Sequence, residues 1–143
     1  MNVELPVAPV DTIIRRNAGG LRVSADAAEA LAMAIQRTGA DLAVEAAERA
    51  AADDRKTLMA PDFGVEAVPD TDDLVLPIAP VDRIARLDID DRYRVAMDAR
   101  IARAGLLEEW ADEVATSAAR LARHADRRTI VDEDVETYLA LLE

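Results

Sequence analysis

The stretch Leu5-Pro6-Val7-Ala8-Pro9-Val10 occurs a second time as Leu76-Pro77-Ile78-Ala79-Pro80-Val81, with Ile78 in the place of Val7 as the single change. Each copy leads into an aspartate, Asp11 or Asp82, and then into an apolar-basic run, which is the pattern of a helix opening. The likeness continues beyond the hexapeptide, so the chain is an internal repeat. Arg22-Val23 returns as Arg94-Val95, and Asp54-Arg55-Lys56-Thr57-Leu58 returns as Asp126-Arg127-Arg128-Thr129-Ile130. The hexapeptides lie 71 positions apart and the later matches 72, which puts one inserted residue in the second copy between Ile84 and Arg94. Two units, residues 1–70 and 71–143, fill the chain, with Pro69-Asp70-Thr71-Asp72-Asp73 as the seam between them.

A unit of this size buries little surface alone, so the two are expected to share one core rather than hang as beads. The composition points to helix. Hydrophobic residues make up 51% of the chain but aromatics only 3%, alanine supplies much of the rest, and β-branched aromatic runs are missing. With no cysteine, disulfides, thiolate zinc sites and thiol catalysis are excluded. No basic-then-apolar leader and no apolar run of bilayer length is present, which leads to the expectation of a soluble, intracellular protein without a membrane partner.

The charge is strongly acidic, 29 acids against 17 bases, and both units share it: 12 acids and 7 bases in residues 1–70, 17 and 10 in residues 71–143. Lys56 is the one lysine. Abundant aspartate and arginine with almost no lysine read as adaptation to molar salt; an ordinary acidic protein is the alternative.

The punctuation gives each unit a short, a long and a short helix. Pro9 suits the first position of a helix carrying Val10, Ile13 and Ile14 on one face and ending near Gly19-Gly20. Leu21-Arg22-Val23 is an extended link, and Ser24 is an N-cap for a helix from Ala25 to about Ala52, interrupted only by Gly39. Asp53-Asp54-Arg55 turns into a second link, Lys56 to Met59, after which Pro61-Asp62 opens a short helix through about Val68. The second unit repeats this with helices at about 81–88, 97–125 and 132–142, but Ala96 stands where Ser24 stood, which leaves Asp98 as the substitute cap. The expected fold is all-α, with the two long helices crossing and burying both apolar stripes together.

This pattern, with the hexapeptide before the first helix, Arg22-Val23-Ser24 after it and Arg55-Lys56-Thr57 before the third, resembles the archaeal histones over the whole chain, and in detail the tandem histones of halophilic archaea. The resemblance implies two histone folds fused and paired as an intramolecular handshake pseudodimer, and double-stranded DNA as the partner. It implies that Arg22 and Arg94 reach into the minor groove, where concentrated negative potential favours a guanidinium without a base code. Lys56 and Thr57, with Arg128 and Thr129, match phosphate-binding positions. Arg55 and Arg127 match arginines that pair with an aspartate seven residues on, here Asp62 and Asp134, and so serve as structural clamps or, alternatively, touch DNA directly. Arg15, Arg83 and Arg86 match basic positions of the first helices, whose N-terminal amides also suit phosphate. Thr12 replaces a basic residue, which predicts a footprint weighted toward the second unit.

His124, the single histidine, lies in Ala122-Arg123-His124-Ala125, similar to the family's segment for contact between dimers. With Leu121, and Asp134 as the matching acid, it implies self-association through the second unit; a solvated histidine is the alternative. A lone histidine without a second ligand at metal spacing makes no metal site, Trp110 reads as a core residue, and Asp88 to Asp91 and Glu108-Glu109 read as solvated faces. No nucleophile-base pair or phosphate loop is present, so neither an enzyme, a cofactor nor a small-molecule substrate is expected. The leading reading is a largely sequence-independent DNA-binding protein that bends or wraps duplex DNA in chromatin organisation or transcription, associated with the chromosome in the cytoplasm. Its rival is an acidic adaptor that keeps the fold and binds another protein instead.

Overall fold

The computed structural model describes residues 4–143. Five α-helices carry the chain: α1 Val7–Arg16, α2 Ala25–Ala52, α3 Ile78–Ala85, α4 Met97–His124 and α5 Asp132–Leu141. Both hexapeptides begin their helices earlier than the prolines suggest. The chain is extended at Pro6 and Pro77 and already helical at Val7 and Ile78, so Pro9 and Pro80 fall inside the first turn. Amides there have no intrahelical partner, and a proline costs nothing. Val10, Ile13 and Ile14 are buried from α1, as are Val81, Ile84 and Ala85 from α3.

The long helices are built on small residues. Ser24 Oγ accepts the N–H of Ala27 at 3.0 Å and caps α2. Ala96 leaves α4 without a side-chain cap, and Asp98 does not replace it: its Oδ2 accepts the amide of Ala60 at 3.5 Å. Gly39, an interruption by propensity, lies at a close approach, since a Cβ there would stand 3.0 Å from side-chain carbons of Ile84 and Leu107. The resulting core is shared: Val10, Ile13, Ile14, Leu31 and Ile35 from the first half pack in one cluster with Val81, Ile84, Leu107, Val114 and Ile130 from the second.

Four two-residue strands tie the halves together: β1 Arg22–Val23, β2 Thr57–Leu58, β3 Arg94–Val95 and β4 Thr129–Ile130. Each pairs in parallel with a strand of the other half, β1 with β4 and β2 with β3. The backbone bonds are Arg22 N–H to Arg128 O at 2.9 Å and Ser24 N–H to Ile130 O at 3.0 Å, then Arg94 N–H to Lys56 O at 2.8 Å and Ala96 N–H to Leu58 O at 3.0 Å.

The halves differ at their third elements. The helix expected through Val68 does not form; a single 3-10 turn, Ala60–Phe63, stands there and is closed by Gly64 with φ of 75°. Gly64 takes the left-handed conformation open to it and stops the turn. Val65, Val68 and Pro69 then continue non-helically, and Pro69 packs where Gly105 of α4 leaves room, 3.0 Å from the position of a Cβ. In the second half α5 is a full helix packed on both α2 and α4.

Two buried polar residues hold the hexapeptides in place. Gln36 Oε1 accepts the N–H of Glu4 at 2.6 Å, and Glu108 Oε1 accepts those of Val75 and Leu76 at 2.6 and 2.8 Å. The two residues are 72 apart, so the repeat extends to the way each hexapeptide is fastened to the long helix of its own half.

Candidate nucleic-acid interface

The strand pairing assembles the candidate residues into two groups. At one end Arg22 stands opposite Thr129 in register, next to Arg128; at the other Arg94 stands opposite Thr57, next to Lys56. Arg22, Lys56, Arg94 and Arg128 are all exposed, and the two threonines are half-buried. Each group therefore takes its first link from one half and its second link from the other. A strand forces this arrangement because alternate side chains point to opposite faces while the paired backbones fix the register.

Each second link is braced from beneath. Arg55 holds Asp62 with two bonds, Nη1 to Oδ2 at 2.9 Å and Nη2 to Oδ1 at 2.7 Å, and donates from Nη1 to Thr57 O at 3.0 Å. Arg127 does the same with Asp134, at 2.6 and 2.5 Å, and donates to Thr129 O at 3.2 Å. Oδ2 of each aspartate also accepts an amide, Met59 N–H at Asp62 and Val131 N–H at Asp134. Bidentate pairing of this kind fixes orientation as well as charge. The Arg55 bond is the main cause of an Asp62 carboxyl held below its ordinary range. At Asp134 burial works the other way, and the bonds from Arg127 and Val131 overcome it, so that carboxyl is also held down.

The double assignment of Asp134 needs correction. It is only 2% exposed and accepts three bonds within the chain, two from Arg127 and one from Val131, so its first role is the clamp and an intermolecular contact could use only the one acceptor site left on Oδ1. Exposed His124 at the end of α4 and half-buried Leu121 remain at that surface. Trp110 is half-buried and packs against the main core cluster.

On the first helices, Arg15 Nε lies 2.6 Å from Asp11 Oδ2, Arg86 Nε 3.4 Å from Asp82 Oδ2, and Arg83 Nε 3.7 Å from Glu4 Oε2. Thr12 spends its hydroxyl on Ala8 O at 3.1 Å. Next to them is a network that sequence reasoning missed. Arg16 Nε and Nη2 donate to Asp112 at 2.9 and 2.8 Å, Nη2 also reaches Glu108 at 3.1 Å, and Asn17 Nδ2 joins Asp112 at 2.7 Å. It pins the end of α1 to α4 of the other half and, chiefly through the Asp112 bond, raises the Arg16 pKa above its ordinary value. Glu108 is consequently buried rather than on a solvated face. The one hint available beforehand was a carboxylate at the helix position that Gln36 fills in the other half.

A family model described as "histone-like transcription factor (CBF/NF-Y) and archaeal histone" matches residues 3–64 and again residues 74–139. The chain belongs to this histone-fold family. Over 60 residues it is 50% identical to an archaeal histone HAN1 subunit from Thermococcus zilligii, covering 42% of this chain and 87% of that one. The crystal structure of the histone from Methanopyrus kandleri is similar over 92% of this chain and 91% of its own, with 30% identity and a TM-score of 0.73. A Thermus thermophilus protein shares the fold at 20% identity, with 97% of each chain covered and a TM-score of 0.65. No helix among the described residues is long and apolar enough to cross a membrane.

Proposed function

We propose that this histone-family chain binds duplex DNA with little base specificity and bends or wraps it, acting on the chromosome in the cytoplasm. Residues 1–70 and 71–143 serve as two histone folds that pair within one polypeptide as a handshake pseudodimer. The observation that carries the reading is the crossed strand pairing, which joins Arg22 to Arg128-Thr129 and Arg94 to Lys56-Thr57. Arg22 and Arg94 enter the minor groove, while Lys56, Arg128 and the threonine hydroxyls bind flanking phosphates. Arg55 and Arg127 act through the clamps beneath. The lysine-poor acidic composition supports work in molar salt, and a second copy docks through Leu121 and His124 at the end of α4.

The net charge of −12 favours a second reading, an adaptor for another protein with little DNA affinity. A DNA-bending and nuclease-protection titration in potassium salt, from low to molar concentration, separates the two. Protection that the Arg22→Ala, Arg94→Ala double variant loses supports the DNA reading. Protection that ignores the double substitution refutes the minor-groove assignment, and no binding at any salt that preserves the fold leaves the adaptor.

A further inference from the structure

The cations of the candidate face are not equally free. Between the two strand-paired ends, the arginines of the first helices, which form the middle of the face, each have a carboxylate within 4.0 Å: Arg15 has Asp11, Arg83 has Glu4 and Arg86 has Asp82. Asp82 is shared, with its other oxygen 3.5 Å from Arg100 Nε. With Arg100 included, four arginines meet three carboxylates, so the first-helix arginines are almost fully compensated and one unit of positive charge is left over. The ends are different. Among the described residues, Arg22, Lys56, Arg94 and Arg128 have no carboxylate oxygen within 4.0 Å.

DNA affinity at a given salt depends on how many condensed counterions the bound cations release. An arginine already neutralised by its own aspartate adds little to that number. Moving it to a phosphate exchanges one ion pair for another, and leaves the abandoned carboxylate facing a like charge. We propose that Asp11, Asp82 and Glu4 mask the middle of this face, so that the chain grips the duplex at its two ends only, through Arg22 with Arg128 and Arg94 with Lys56. The inference rests on the DNA-binding reading above. It also removes the expected weighting toward the second half: Arg83 has no advantage over Thr12 while Glu4 neutralises it, and the ends carry two free cations each. A four-cation grip has a shallow salt dependence, which suits a protein working in concentrated salt.

The test is the slope of log affinity against log potassium concentration, measured by fluorescence anisotropy on a short random-sequence duplex. At a slope of about 0.9 for each phosphate neutralised, four cations give about 3.6 and all seven about 6.3. Across a fourfold rise in salt that separates a loss of roughly 150-fold from one of roughly 6,000-fold. The Glu4→Gln, Asp11→Asn double variant frees Arg83 and Arg15 without touching the buried side of Asp82, and its slope should steepen by about 1.8 with tighter binding at low salt. A wild-type slope near the seven-cation value, or a double variant that leaves slope and affinity unchanged, overturns the masking while DNA binding stands. Absence of binding by both proteins at low salt overturns the DNA reading and the masking with it.

Discussion

Arg103 is fully buried in α4, and replacing it with methionine should make the protein more stable. The guanidinium lies over the Phe63 ring at 5.9 Å and donates from Nη2 to the carbonyl of Val81, while Nε and Nη1 have no hydrogen-bond partner. Burial, only partly offset by Asp82, pushes its pKa from its ordinary value down to about 10. At about 1.4 kcal/mol for each pH unit, that gap puts the cost of keeping the charge in place near neutral pH at ~3 kcal/mol. Methionine carries no charge to desolvate and fills an irregular slot through its flexible chain. The loss of the ring contact, about 1 kcal/mol, and of the Val81 bond offsets part of the gain. Val81 sits early in α3, where its carbonyl retains the helix itself as a partner. The expected net stabilisation is ~1–2 kcal/mol, or ~3–6 °C in the unfolding midpoint for a chain of this length.

The sign of the pH dependence follows from the same burial. A base whose pKa is lower in the folded state destabilises that state while it is charged, and the penalty fades as pH rises through the folded value. The gap between Arg103→Met and wild type should therefore be full below about 10 and shrink above it. Urea unfolding at constant ionic strength, read at neutral pH and again above 10, measures both. A variant less stable than wild type by more than ~1 kcal/mol, or a gap that widens with alkali, would refute the reasoning.

The clamps govern the acid side. Asp62 and Asp134 are held below the ordinary carboxylate value of 3.8, so their stabilisation is present above it and disappears as pH falls further. Asp62→Asn with Asp134→Asn should be less stable at neutral pH yet lose less on acidification below 3.8, as followed by circular dichroism; parallel acid transitions would contradict the assignment. For the α4 end, light scattering should give wild type a mass above one chain and His124→Ala a lower one. A wild-type mass of one chain at working concentration rules out that interface.

Much of the fold could be read from the repeat. The duplicated hexapeptide, the apolar stripes and Ser24 locate α1 to α4 within a few residues, because periodicity and capping are local properties. The short helix expected after Pro61 fails for a local reason as well: the proline favours a start, but Gly64 and the Val65-to-Pro69 run stop what it begins. Arg103 could not be read as buried. It occupies the position that Leu31 fills in the first half, and on a helix where charged residues ordinarily face water only the packing of Phe63 and α3 over it encloses the guanidinium.

The sequence alone determined that this protein is a doubled three-element helical unit with basic links, since repetition, helix period and turn residues act over a few positions. Tertiary structure decided which charges are free. Arg22 and Arg94 became neighbours of Arg128 and Lys56 only through strands that cross between the halves, and Glu4 reached Arg83 only because the first hexapeptide lies beside α3. Coulomb energy depends on distance in space, and distances between residues about 40 to 110 positions apart are set by the way the halves pack, not by the order of the chain.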